Sequence, residues 1–138
     1  MELFPLVRER GSVAITFDHN RPIYLQLKEK MYGDICSGEL LPGSRLPSVR
    51  EMAVQAGVNP NTVSRTYMEM EREGAVESRR GQGTFVTENS DVITSLKKTA
   101  AEEETRRLVN VLRQYGYKDD EIINLLKTEI HVKGEQPE

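Results

Sequence analysis

Two short runs of the chain concentrate side chains able to read a nucleic acid. One is Asn59-Pro60-Asn61-Thr62-Val63-Ser64-Arg65 and the other is Arg79-Arg80-Gly81-Gln82-Gly83. Amide, hydroxyl and guanidinium groups are the ones that hydrogen-bond base edges and phosphates in a major groove. Arginines beside glycines suit a different task, because glycine lets a backbone approach DNA closely while guanidinium groups enter a minor groove. Each run also has a plainer reading. Asn59 and Thr62 would then only cap a helix, Arg65 would be solvated surface, and Arg79-Arg80 would be gatekeeping charges on a hairpin. The close succession of the two runs tips the choice toward DNA.

The elements that must hold these residues carry their own start and stop signals. Ser48-x-x-Glu51 is a capping box, so a helix starts at Ser48, and Gly57 suits the left-handed residue that ends it. Asn59-Pro60 then supplies an N-cap and a first-turn proline for a second helix. Two short helices joined by so tight a turn have the shape of a DNA-reading unit. At 100° per residue the second helix places Val63, Tyr67 and Met70 on a buried stripe. Asn61, Arg65 and Met68 face the other way, with Thr62 and Ser64 on the flanks. Gly74 stops this helix, and the β-prone runs Ala75-Val76-Glu77-Ser78 and Thr84-Phe85-Val86-Thr87 flank the glycine-bearing turn of a hairpin. A helix–turn–helix followed by a basic hairpin is a winged helix.

With these residues in place, the chain resembles the GntR family of bacterial transcription regulators. The matching positions are Pro22-Ile-Tyr-x-Gln26, Gly38-x-Leu-x-Pro-Gly-x-x-Leu-Pro-Ser-Val-Arg-Glu51, Val58-Asn-Pro-Asn-Thr-Val-x-Arg65, Glu73-Gly74 and Arg80-Gly-x-Gly-x-Phe-Val86. The resemblance covers residues 20–87, and the Asn59-Pro-Asn-Thr62 variant with the short tail looks like the YtrA-type subfamily, whose members often sit beside transporter genes. It implies a symmetric dimer on an inverted-repeat operator, with DNA contacts from Arg50, Asn61, Thr62, Arg65 and Gly81. Arg45 stands at a position that varies across the family, and Arg50 has an alternative role as partner to a nearby carboxylate. Taken with the residue-level reading, the candidate DNA-binding set is Arg50, Asn59, Asn61, Thr62, Ser64, Arg65, Arg79, Arg80, Gly81 and Gly83.

Composition excludes more than it assigns. The net charge of −3 over 138 residues argues superficially against nucleic acid. Placement matters more than the total: Arg45, Arg50, Arg65, Arg79 and Arg80 lie in the motif region. Acid gathers at Glu102-Glu-Glu104, Asp119-Asp-Glu121 and the final Glu135-Gln-Pro-Glu138. Cys36 is the only cysteine, so no intrachain disulfide forms, and it lies on the expected core stripe of the first helix with Tyr24, Leu27, Met31 and Ile35. His19 and His131 have no ligand-spaced companions, so neither metal nor cofactor is expected. No apolar run approaches the ~20 residues of a membrane span and no signal-peptide pattern opens the chain, which makes the cytoplasm the default and a membrane partner unexpected.

These readings divide the chain into an N-terminal arm (residues 1–20), a winged helix–turn–helix (21–88), a helical dimerisation domain (89–132) and an acidic tail (133–138). The expected fold is mainly α with a small β-hairpin. The arm includes an alternating Val13-Ala-Ile-Thr-Phe17 that reads as a short extended segment. Pro22 starts a helix running to about Ser37. Ser90 or Asp91 caps a long helix that Gly116 ends, and Asp119 or Asp120 caps a last one. Two helices in roughly 40 residues cannot bury an independent core. Pairing with the same segment of a second copy, through Leu96, Leu108, Val111, Leu112, Tyr115, Ile122, Ile123 and Leu126, gives a four-helix arrangement. Folding back onto their own winged helix is the alternative.

The functional expectation is a sequence-specific, homodimeric transcription regulator, a repressor of its own operon on double-stranded DNA. The alternative is an architectural or protein-binding winged helix without operator specificity. An enzyme is not expected, because the chain shows no Ser/His/Asp set, Gly-rich phosphate loop or cofactor lysine motif. No residue pattern names a small-molecule effector. A pocket of roughly 300–1,000 Å³ would need the dimer interface or the DNA-binding domain to enclose it.

Overall fold

The computed structural model describes residues 16–134. Most of the expected N-terminal arm, including the start of the Val13–Phe17 segment, and residues 135–138 of the acidic tail lie outside that range. Within it are five helices and one two-stranded sheet: α1 (Ile23–Ser37), α2 (Val49–Ala56), α3 (Pro60–Arg72), β1 (Val76–Arg79), β2 (Gly83–Val86), α4 (Ser90–Gln114) and α5 (Asp119–Gly134). No helix among the described residues is long and apolar enough to cross a membrane. Contacts divide the chain into two compact units, the first ending at Lys97.

In the first unit α1 begins after Pro22 and closes at Gly38, whose φ of 89° only glycine adopts without strain. Gln26 secures its approach. The Asp18 N–H donates to Gln26 Oε1 at 2.7 Å, and Gln26 Nε2 donates to the carbonyls of Asp18 and Arg21 at 2.6 and 3.0 Å. Leu27, Met31 and Ile35 face the core as the spacing requires, while Tyr24 is half-buried. Cys36 is half-buried too, and that burial pushes its thiol up. Asp34 joins the buried face instead, which the sequence pattern did not indicate. Burial raises its carboxyl above the usual range, against the nearby charge of Lys30 at 3.3 Å, and its Oδ2 has no hydrogen-bond partner.

The helix–turn–helix forms by its caps. Ser48 Oγ accepts from the Glu51 N–H at 3.1 Å while Glu51 Oε1 accepts from the Ser48 N–H at 2.9 Å. Asn59 Oδ1 accepts from the Asn61 N–H at 2.7 Å, ahead of Pro60. α3 buries Val63, Thr66, Tyr67 and Met70 against α1 and α2. The core is completed by Leu40, Leu46, Met52, Ala53, Ala56, Ala75, Val76 and Val86.

β1 and β2 pair antiparallel, with Val76 opposite Val86 and Arg79 opposite Gly83. The wing is broader than the expected two-stranded hairpin. Residues 43–46 run along the free edge of β2: Gly43 donates to Val86, Val86 to Ser44 and Leu46 to Thr84, at 2.9, 2.8 and 2.7 Å. Such pairing joins segments about 40 residues apart and has no local signature.

α4 is capped by Asn89, whose Oδ1 accepts from the Asp91 N–H at 2.9 Å, not by Ser90 or Asp91. Its first turns belong to the first unit, where Ile93 and Leu96 pack against the core.

In the second unit Gly116 (φ 92°) ends α4, and the Tyr117 N–H returns to the Leu112 carbonyl at 3.1 Å. Lys118, not Asp119 or Asp120, holds the cap position of α5, its N–H donating to Glu121 Oε1 at 2.8 Å. Asp119 is inside the first turn and accepts from Arg113 at 3.0 Å. Ile122 is covered by its own chain, with Val109 and Leu112 half-covered, but the two helices do not pack along their lengths.

Candidate nucleic-acid interface

Three ties hold α3 in place so that its first two turns stay at the surface. The Tyr67 hydroxyl donates to the Pro47 carbonyl at 2.7 Å, and burial raises its pKa well above the ordinary phenol value. Thr66, fully buried, sets its hydroxyl 2.9 Å from the Thr62 carbonyl and 3.3 Å from that of Tyr24. At the far end Glu73 accepts from the Tyr32 hydroxyl and from Lys28 Nζ at 3.0 Å. Burial works to raise the Glu73 carboxyl, but those donors and the charges of Lys28 and Arg72 bring it below its usual range. α1 and α3 are thereby tied at two points, Tyr24 with Thr66 and Lys28 and Tyr32 with Glu73.

On the outward side Asn61, Ser64 and Arg65 are exposed and Thr62 is half-buried at the flank. Asn59 also lies at the surface, although its side-chain oxygen is committed to the cap. Arg50 is exposed in the first turn of α2, and among the described residues no carboxylate pairs with it. Its alternative role as an ion-pair partner is therefore not realised in the free chain. The Arg65 guanidinium lies over the Tyr24 ring, its carbon 3.7 Å from the centroid. Pro22, Ile23, Tyr24, Asn61, Thr62 and Arg65 line a shallow groove where α1 begins beside α3.

The wing treats its two arginines differently. Arg79 is half-buried, its guanidinium 4.1 Å from the Phe85 ring centroid and 3.3 Å from Glu77 Oε1. Arg80 is exposed at the turn. Gly81 has a φ of 76° and open space where a Cβ would stand. Gly83, with φ 119°, sits against Arg45: a Cβ there would lie 2.7 Å from Arg45 Nε. Arg45 Nε donates to the Gln82 carbonyl at 3.1 Å, so this residue braces the wing turn from the neighbouring segment. Glu71 on α3 accepts from the Ser78 N–H at 3.2 Å and ties β1 to the helix. Sequence reasoning missed both the Tyr24 platform and the Arg45 brace. The first had a signal in the Pro22-Ile-Tyr24 motif, but the second depends on a pairing that no local pattern announces.

The apolar residues expected at a dimer interface separate by environment. Leu96 belongs to the winged-helix packing and Ile122 is 3% exposed within its own chain. Leu108, Val111, Tyr115, Ile123 and Leu126 are exposed at 40%, 41%, 78%, 51% and 37%, and Leu112 is half-buried.

This arrangement has clear relatives. The profile for bacterial regulatory proteins of the gntR family matches residues 23–86, from α1 through the wing. The uncharacterized HTH-type transcriptional regulator YhcF of Bacillus subtilis is 46% identical over 112 residues, which is 81% of this chain and 93% of that protein. The HTH-type transcriptional repressor YtrA of the same organism is 43% identical over 89 residues, covering 64% of this chain and 68% of YtrA. Among solved structures, a GntR family transcriptional regulator from Listeria monocytogenes superposes with a TM-score of 0.75 at 32% identity, over 81% of this chain and 98% of that one. With the winged helix, its capped recognition helix and relatives spanning nearly their whole length, the chain belongs to the GntR family of transcription regulators and carries that family's helix–turn–helix DNA-binding domain.

Proposed function

We propose that the protein is a homodimeric repressor of its own operon that reads an inverted-repeat operator. The observation carrying this reading is the division of α3, which buries Val63, Thr66, Tyr67 and Met70 while leaving Asn61, Ser64 and Arg65 exposed. The N-terminal half of such a helix fits a major groove, where amide and guanidinium groups discriminate base pairs. Arg50 and Thr62 flank it, and Arg80 with Gly81 follows the adjacent minor groove. The repressor sign draws support from YtrA, which is named a repressor, and subfamily members beside transporter genes make transport genes the reasonable regulated set. Its site of action is the cytoplasm, where the DNA is.

The dimer rests on the second unit. Leu108, Val111, Tyr115, Ile123 and Leu126 are among the apolar side chains exposed, at 37–78%, on helices that do not pack along each other. A segment of this size with no core of its own needs a partner, and a two-fold copy supplies the spacing of two half-sites.

Selection of bound sequences from a random DNA library, followed by footprinting upstream of the protein's own gene, tests the reading. Recovery of a palindrome with half-sites one helical turn apart, protected in the footprint, is the expected result. Equal retention of all sequences would instead favour an architectural winged helix. Arg65→Ala should weaken the selected site on the order of 10- to 100-fold and random DNA much less, the scale of one lost base contact.

A further inference from the structure

We infer that Tyr24, on α1, is a positioning residue for base reading: its ring holds the Arg65 guanidinium in the orientation in which α3 presents it to DNA. The inference rests on the reading of Arg65 as a base-contacting residue. The guanidinium carbon lies over the ring 3.7 Å from its centroid, well inside the ~6 Å limit of a cation–π contact, a separation that suits a face-on stack. Such a stack uses only the π face of the guanidinium, so the N–H donors at its edge remain available to a base. No acidic side chain among the described residues competes for them.

The platform is itself immobilised. Tyr24 occupies the first turn of α1, and Thr66, buried one residue beyond Arg65, has its hydroxyl 3.3 Å from the Tyr24 carbonyl. The same hydroxyl lies 2.9 Å from the Thr62 carbonyl, so ring, arginine and the start of α3 form one local assembly. An exposed arginine ordinarily samples many rotamers and must give them up on binding. Stacking on a fixed ring removes much of that freedom beforehand, as preorganised sites do. Arg79 shows the contrast: it also stacks on a ring, that of Phe85, but its edge faces Glu77 at 3.3 Å. Arg65 alone of the two pairs a ring platform with an open edge.

A double-mutant cycle on the full-length protein tests this, using the DNA site that selection with the unaltered protein yields and a random duplex of equal length. Tyr24→Leu should weaken the selected site about 3- to 10-fold, the scale of a stacked cation, and relax preference at the same base pair that Arg65→Ala relaxes. Tyr24→Phe keeps the ring and should bind as the unaltered protein does. In the Arg65→Ala background Tyr24→Leu should have no further effect on discrimination. Additive losses, or relaxation at a different base pair, would overturn the role of Tyr24 while leaving Arg65 as a base reader. An Arg65→Ala variant with full discrimination would instead remove the reading on which the inference stands. Because Tyr24→Leu also touches the α1–α3 junction, a second measurement needs no variant. The Arg65 δ-methylene protons of the free protein should resonate upfield of ordinary arginine through the ring current, and unshifted resonances would overturn the platform outright.

Discussion

Alanine at Gly83 should cost more stability than alanine at Gly81, two residues away on the same turn, and Arg45 is the reason. At Gly81 the φ of 76° strains an L-residue, but nothing lies within 4 Å of the new Cβ. The expected cost is the left-handed conformation alone, about 1 kcal/mol. At Gly83 the φ of 119° lies further outside the ordinary regions, and the Cβ would stand 2.7 Å from Arg45 Nε and 3.5 Å from its Cζ. The backbone strain is about 1–3 kcal/mol. To clear the methyl, Arg45 must also leave the Gln82 carbonyl at 3.1 Å, an exposed hydrogen bond worth about 0.5–1 kcal/mol. The sum is about 1.5–4 kcal/mol. β2 contributes the fully buried Val86 to the core, so strain in the wing should register in global unfolding. Urea titration followed by circular dichroism, at one fixed protein concentration because a dimer links stability to concentration, would compare the two variants with Arg45→Ala and Gly83→Ala/Arg45→Ala. In the double variant the steric part should disappear, leaving a cost smaller than the sum of the singles. Equal costs at the two glycines, or strict additivity with Arg45→Ala, would refute the bracing contact. DNA affinity separates a second question: Gly81→Ala should weaken operator binding beyond its small folding cost if the backbone there approaches DNA.

Other outcomes follow from the same structure. Truncation after Lys97 should leave a folded, monomeric winged helix, whereas truncation after Glu88 also removes Ile93 and Leu96 from the core and should cost about 2–4 kcal/mol more, as sedimentation and thermal melts would show. Arg80→Ala should flatten the slope of log affinity against log salt by up to about 0.9, and Arg79→Ala by clearly less, because Arg79 is committed to Phe85 and Glu77. Tyr67→Phe removes a buried donor and strands the Pro47 carbonyl, for a loss of about 1–2 kcal/mol in denaturant titrations. Asp34 has a carboxyl raised by burial, so its folded value lies above its unfolded one and its ionisation opposes folding as pH rises through that window. Asp34→Asn should therefore raise the melting temperature at neutral pH, and the advantage should shrink as pH falls toward about 4 and be gone below it, where an unfolded aspartate is itself protonated.

What could be read along the chain was what depends on near neighbours. The Ser48/Glu51 box, the Asn59 cap with Pro60, and the stripe of Val63, Tyr67 and Met70 are all set by residues within one or two helical turns, and each formed as its spacing required. The outward amide, hydroxyl and guanidinium groups of α3 follow from the same periodicity. The cap of α4 at Asn89 and that of α5 at Lys118 each fell a residue or more outside the positions expected, since several polar residues there were equally good candidates and only the realised backbone chose among them.

Long-range packing decided the rest. The third segment of the wing, Arg45 against the Gly83 turn, Arg65 on Tyr24 and the burial of Asp34 each join residues far apart in sequence or depend on which face a neighbouring element covers. Leu96 and Ile122 carry the same apolar character as Leu108 and Ile123, yet Leu96 packs on the core and Ile122 is buried while the second two are exposed. Hydropathy alone could not separate them, because the hydrophobic effect is non-directional and acts on whatever surface the fold brings together. The sequence by itself therefore determined that this is a winged helix with a reading helix and a basic wing. Only the tertiary structure decided which arginines are held on rings, which stay exposed without an acidic partner, and which apolar side chains their own chain leaves uncovered.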